Sequence, residues 1–76
     1  MPIASIIVES LPGGAAITEA ALANLAGVSV YGVKEEQIVT VIEGKDPAEI
    51  DTIMRQVQAL EGVIGVYPVY TGGYDA

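Results

Sequence analysis

Few side chains in this 76-residue chain could do covalent chemistry, and their surroundings argue against it. Ser5, Ser10 and Ser29 are available hydroxyls, but the chain has no His to activate them and no Gly-x-Ser-x-Gly elbow to present them. There is no Cys either, so thiol chemistry, a transition-metal site and histidine acid–base catalysis are all excluded. Gly13-Gly14 and Gly72-Gly73 lack the GxGxxG or GxxxxGK[ST] context that cradles a phosphate. Glu35-Glu36 falls in a turn between two apolar runs. Asp46, Glu49 and Asp51 crowd a helix start, where capping and the helix dipole account for them and the spacing of a calcium loop is missing. The expectation is a protein without catalysis, metal or cofactor.

What the chain offers instead is charge and apolar surface. Ten acidic residues face three basic ones, for a net charge of −7. Lys34, Lys45 and Arg55 are too few and too scattered to neutralise a phosphate backbone, so no nucleic-acid partner is expected. The same balance disfavours an anionic membrane surface and favours a cationic partner. The chain is 51% hydrophobic, which excludes disorder, yet no apolar run reaches the roughly 18 residues of a membrane span. No Lys or Arg precedes the first apolar run and no cleavage site follows it, so a cytoplasmic protein without a signal peptide is expected. At this length the chain makes one domain, 1–76, with an ordered core from about Ile3 to Tyr70 and a flexible tail over 71–76.

The elements follow from pattern. Ile3 to Glu9 is a β-branched apolar run ended by Ser10-Leu11-Pro12-Gly13-Gly14, a strand entering a loop. Ala15 to Ala26 are helix formers with Ile17, Ala21 and Leu25 as the apolar stripe, Gly14 or Thr18 as the cap and Gly27 as the stop. Val28 to Val33 and Ile38 to Glu43 are strands joined by polar Lys34 to Gln37. Asp46, Pro47 and Glu49 spell a capping box ahead of the stripe Ile50, Ile53, Met54, Val57 and Leu60. After Gly62, Val63 to Tyr70 is a last strand, placed at an edge because Pro68 has no backbone donor.

The order βαββαβ is an internal repeat. Leu25 to Tyr31 echoes Leu60 to Tyr67, with Leu25, Gly27 and Val28 returning 35 positions on at the helix–Gly–Val junction, and Ile7-Val8-Glu9 returns as Val41-Ile42-Glu43, 34 on. Two such units give a ferredoxin-like α+β sandwich, a four-stranded antiparallel sheet with both helices on one face. The first and third strands are apolar on both sides, so the uncovered face must expose Val and Ile, which invites a partner. Glu is rarely buried, so that open face is assigned to Ser5, Ile7, Glu9, Val39, Val41 and Glu43, bordered by the edge tyrosines Tyr31 and Tyr67. The expected result is an apolar floor with carboxylates near one end, suited to an amphipathic basic peptide. A second copy of the chain, forming a homodimer, is the competing occupant, and edge pairing through Val28 to Val33 is a second route for a peptide.

The stretch from Ile3 to Tyr70 resembles the NapD family, small cytoplasmic chaperones for assembly of the periplasmic nitrate reductase. The resemblance rests on Ser5-Ile6-Ile7-Val8, Gly27-Val28-x-Val30, Gln37-Ile38-Val39-x-Val41-Ile42-Glu43 and Glu61-Gly62-Val63-x-x-Val66 with Val69-Tyr70. Thr71, where such proteins often have His after the Tyr, and the Gly13-Gly14 loop, with fewer polar residues than such proteins carry, depart from it. The resemblance implies binding of the twin-arginine signal peptide of the catalytic subunit, delaying export until the cofactor is inserted. The alternative is a dimerisation or small-molecule effector-binding regulatory module of the same fold.

Overall fold

The computed structural model describes residues 2–73. Its elements run β1 (Pro2–Ser10), α1 (Ala15–Ala23), β2 (Val28–Lys34), β3 (Gln37–Glu43), α2 (Pro47–Gln58) and β4 (Val63–Gly73). The strands form one antiparallel sheet in the order β2-β3-β1-β4, so the expected ferredoxin-like topology stands. β1 and β3 are the inner strands, and β4 lies at an edge, where Pro68 costs no shared ladder bond.

One layer of apolar side chains holds the sandwich together. Ala4, Ile6 and Val8 of β1, Ile38 and Ile42 of β3 and Val28 of β2 meet Leu22 of α1 and Ile53 and Val57 of α2. Both helices therefore press on one face of the sheet. Thr40 is buried among them, and its hydroxyl is satisfied by donating to the Ile38 carbonyl at 3.3 Å.

α2 matches its sequence signals closely. The Asp46 carboxylate accepts from the Glu49 N–H at 2.8 Å, and Pro47 opens the helix. The reciprocal arm is displaced by one residue, because Glu49 Oε1 accepts from the Lys45 N–H and not from that of Asp46. Ile50, Ile53, Met54, Val57 and Leu60 all face the core.

α1 departs from its expected form. It ends at Ala23 instead of Ala26, because Asn24 to Gly27 form the turn into β2. Gly14 is its N-cap and supplies no side chain, while Thr18 lies inside the helix and is buried. The expected stripe holds only toward its end, where Leu25 packs against the core and Ala21 is half-buried. Thr18 and Leu22 face the sheet, whereas Ile17 is 77% exposed. The terminal strand is longer than expected too. Thr71 to Gly73 pair with Pro2 to Ala4 as part of β4 and are not a loose tail, and residues 74–76 lie outside the described residues. In the β2–β3 hairpin Lys34 pairs with Gln37, which shortens the connection to Glu35-Glu36, with Glu35 at φ 57°.

Candidate functional site

The face turned away from the helices can be built rung by rung from the register. One rung crosses β2, β3, β1 and β4 at Ser29, Val41, Ser5 and Tyr70. The next crosses at Gly32, Val39, Ile7 and Tyr67, and a third at Lys34, Gln37, Glu9 and Gly65. At the opposite end Glu43 is paired with Ile3. The strand period of two drives this division, since every second residue of β1 and β3 is buried against the helices.

Ser5, Ile7, Glu9, Val39, Val41, Glu43 and Tyr67 thus share one open face. Ile7 and Val41 are half-buried by their strand neighbours, Val39 is 41% exposed and Tyr67 is 53% exposed. Tyr31 stands apart from this group. It occupies a register shift in β2 between Val30 and Gly32 and is 73% exposed at the far edge, a rim residue with no cross-strand partner.

The carboxylates do not gather near one end. β1 and β3 are antiparallel, and the pairing of Ile6 with Thr40 sits at the centre of the 34-residue repeat, so equivalent residues are related by an approximate two-fold axis. Glu9 is level with Gln37 and Glu43 with Ile3, which separates the two glutamates by roughly 20 Å at about 3.3 Å per residue. Between them lie Ile7, Val39 and Val41 around Ser5, and Ile3 flanks Glu43 on its own rung. The face is an apolar strip closed by a carboxylate at each end.

Sequence reasoning also missed two residues of this face. Ile3 extends the floor toward Glu43. Gly65 lies beneath the Tyr67 ring: a Cβ there would stand 2.6 Å from the tyrosine hydroxyl and 2.9 Å from Cε2 and Cζ. The hydroxyl donates to Glu9 Oε1 at 3.3 Å. The signal for this contact was the Gly-x-Tyr spacing, which puts both residues on one side of a strand.

On the helical side, two shallow grooves occupy equivalent places in the two halves. One is lined by Gly27, Glu49, Thr52 and Gln56, the other by Leu11, Ile17, Thr18 and Glu61. No cluster of three or more His, Cys, Asp or Glu able to hold a metal occurs among the described residues. No helix is long and apolar enough to cross a membrane among these residues.

Comparison with known proteins fits this geometry. The family model described as NapD protein matches residues 1–72. The fold superimposes on the solution structure of the Escherichia coli Tat proofreading chaperone NapD with a TM-score of 0.85, at 21% identity, covering 96% of this chain and 79% of that one. It also superimposes on the crystal structure of TTHA0845 from Thermus thermophilus with a TM-score of 0.80, at 22% identity, covering 100% and 98% of the two chains. No curated protein matches the chain in sequence.

Proposed function

The chain belongs to the NapD family, and on that premise we propose that it is an assembly chaperone of the twin-arginine export route. In this reading it binds, in the cytoplasm, the signal peptide of a periplasmic nitrate reductase catalytic subunit and delays export until the molybdenum cofactor is in place. The open face is the docking surface. Such a peptide is basic at one end and apolar beyond, and the observation that carries the reading is the complementary surface: an apolar strip ending in carboxylates on a chain of net charge −7.

The chemistry of binding follows from those parts. Ile7, Val39 and Val41 remove the apolar segment of the peptide from water, and area buried there sets most of the affinity. The glutamates add charge-assisted hydrogen bonds to guanidinium groups, which fix the register and speed association. Nothing is transformed. The protein acts by occupying the peptide and withholding it from the export machinery.

Calorimetric titration with a synthetic twin-arginine signal peptide tests the proposal, beside a copy with both arginines changed to glutamine. Binding that weakens about tenfold or more in the glutamine copy, and again at high salt, is the expected result. Absence of heat with both peptides would overturn it and leave the strip to a second copy of the chain, readable as a concentration-dependent dimer.

A further inference from the structure

The approximate two-fold symmetry of the open face leaves a basic peptide two ways to lie, since a carboxylate closes each end. We infer that the arginines are received at the Glu9 end, in a cation seat made by Glu9, Tyr67 and Gly65, and that the apolar segment then runs toward Glu43. The inference rests on the peptide-binding reading above and assigns its direction.

The two ends differ in what surrounds the carboxylate. At Glu9 an aromatic ring passes directly over Gly65, the next residue on that rung, and only the missing Cβ lets it lie so close to the sheet. The ring stays 53% exposed, so it still offers surface to an incoming group. Its hydroxyl holds Glu9 Oε1 at 3.3 Å and leaves Oε2 free to accept. A guanidinium suits this pairing, because it stacks on an aromatic ring while forking its N–H groups onto a carboxylate, which an ammonium cannot do. The ordering cost is also partly met in advance, since Glu9 is half-buried on an inner strand and already hydrogen-bonded.

Glu43 lacks these supports. It is exposed, its partner across the pair is the aliphatic Ile3, and Lys45 follows two residues later. At the other end the charged neighbours are Glu35 and Glu36 of the hairpin and Lys34, which closes the Glu9 rung on the far edge strand. Charge balance does not separate the two ends, because Asp46 and Glu49 accompany Lys45 beside Glu43; the ring over Gly65 and its hydrogen bond to Glu9 do.

The test uses the whole chain and a synthetic peptide with two adjacent arginines ahead of an apolar stretch. Glu9→Gln is expected to raise Kd about tenfold and Glu43→Gln by less than about twofold. Gly65→Ala removes no charge but forces the ring off its place, and should raise Kd about fivefold. A nitroxide at the arginine end of the peptide, bound to the unaltered protein, should broaden the amide signals of Gly65 and Tyr67 and spare Ile3 and Glu43. Equal losses at the two glutamates, broadening at Ile3 and Glu43, or full affinity in Gly65→Ala would overturn the inference while leaving peptide binding intact. A peptide that does not bind the unaltered protein would overturn both.

Discussion

Thr18 and Leu22 carry α1 onto the sheet, and Ile53 and Val57, 35 residues later, carry α2 onto the same layer. The turns that follow are alike to the hydrogen bond. Leu25 donates to Leu22 and Val28 to Leu25, just as Leu60 donates to Val57 and Val63 to Leu60. Gly27 and Gly62 close them at φ 80° and 93°. Each glycine carbonyl then takes an amide beyond its own half: Gly27 from Glu43, Gly62 from Leu11. The halves differ in how firmly their helices are specified. α2 has a side-chain cap, a proline start and a broad apolar stripe, whereas α1 is shorter, uncapped by any side chain, and contributes Leu22 as its fully buried apolar anchor. A helix of nine residues with so little local encouragement is held by packing, so the first half depends on fewer side chains than the second.

That contrast predicts the largest effect. Leu22→Ala should cost about 3 kcal/mol, a large share of the stability of so small a domain, because little else anchors α1. Urea unfolding checks it, and a loss below about 1 kcal/mol would show that α1 is held otherwise. The junction glycines come next and should separate. A Cβ on Gly27 would meet the Glu43 carbonyl oxygen at 2.6 Å and Ile53 Cδ1 at 2.9 Å, whereas on Gly62 it meets the Thr18 hydroxyl at 3.2 Å. Gly27→Ala should therefore cost about 2–3 kcal/mol and Gly62→Ala about 1 kcal/mol, both including the left-handed backbone penalty. Equal losses would mean that the backbone term alone matters. Asp46→Ala follows at about 1 kcal/mol, the worth of an N-cap, with no counterpart at Gly14 to remove.

The same contrast explains what could be read from the sequence. The strands, their order and α2 were legible because their signals are local: β-branched runs, a proline, an Asp cap and a full stripe. The face of α1 was not, since Ile17, Ala21 and Leu25 make an equally regular stripe by hydropathy while the true inward positions include a threonine. The information was nevertheless present in the repeat, because shifting Ile53 and Val57 back by 35 gives Thr18 and Leu22. The division of the sheet into two faces was legible for a related reason, as carboxylates resist burial, and the alternation of β1 and β3 follows from where Glu9 and Glu43 stand. The position of the charges was not. Matching Glu9 with Glu43 along the sequence ignores that antiparallel pairing turns equivalent residues to opposite ends. The contact of Tyr67 with Glu9 was hidden too, since it joins residues 58 positions apart through a ring conformation that only Gly65 permits.

The smallest expected effect tests the symmetry from the other side. Ile17 and Thr52 occupy equivalent positions, both turned to solvent, so Ile17→Thr makes the first half resemble the second at that point. With 77% of its surface already exposed, Ile17 gains little from folding, and the substitution should leave stability within about 0.5 kcal/mol. Helix propensity opposes it only slightly, because isoleucine and threonine are both mediocre helix formers. A loss above about 1 kcal/mol in the dilute monomer would mean that the groove around Leu11 and Ile17 closes on itself and that the α1 stripe includes this residue after all. An unchanged midpoint would establish that the rotation of α1, and not the hydropathy of its sequence, decides which of its side chains the sheet receives.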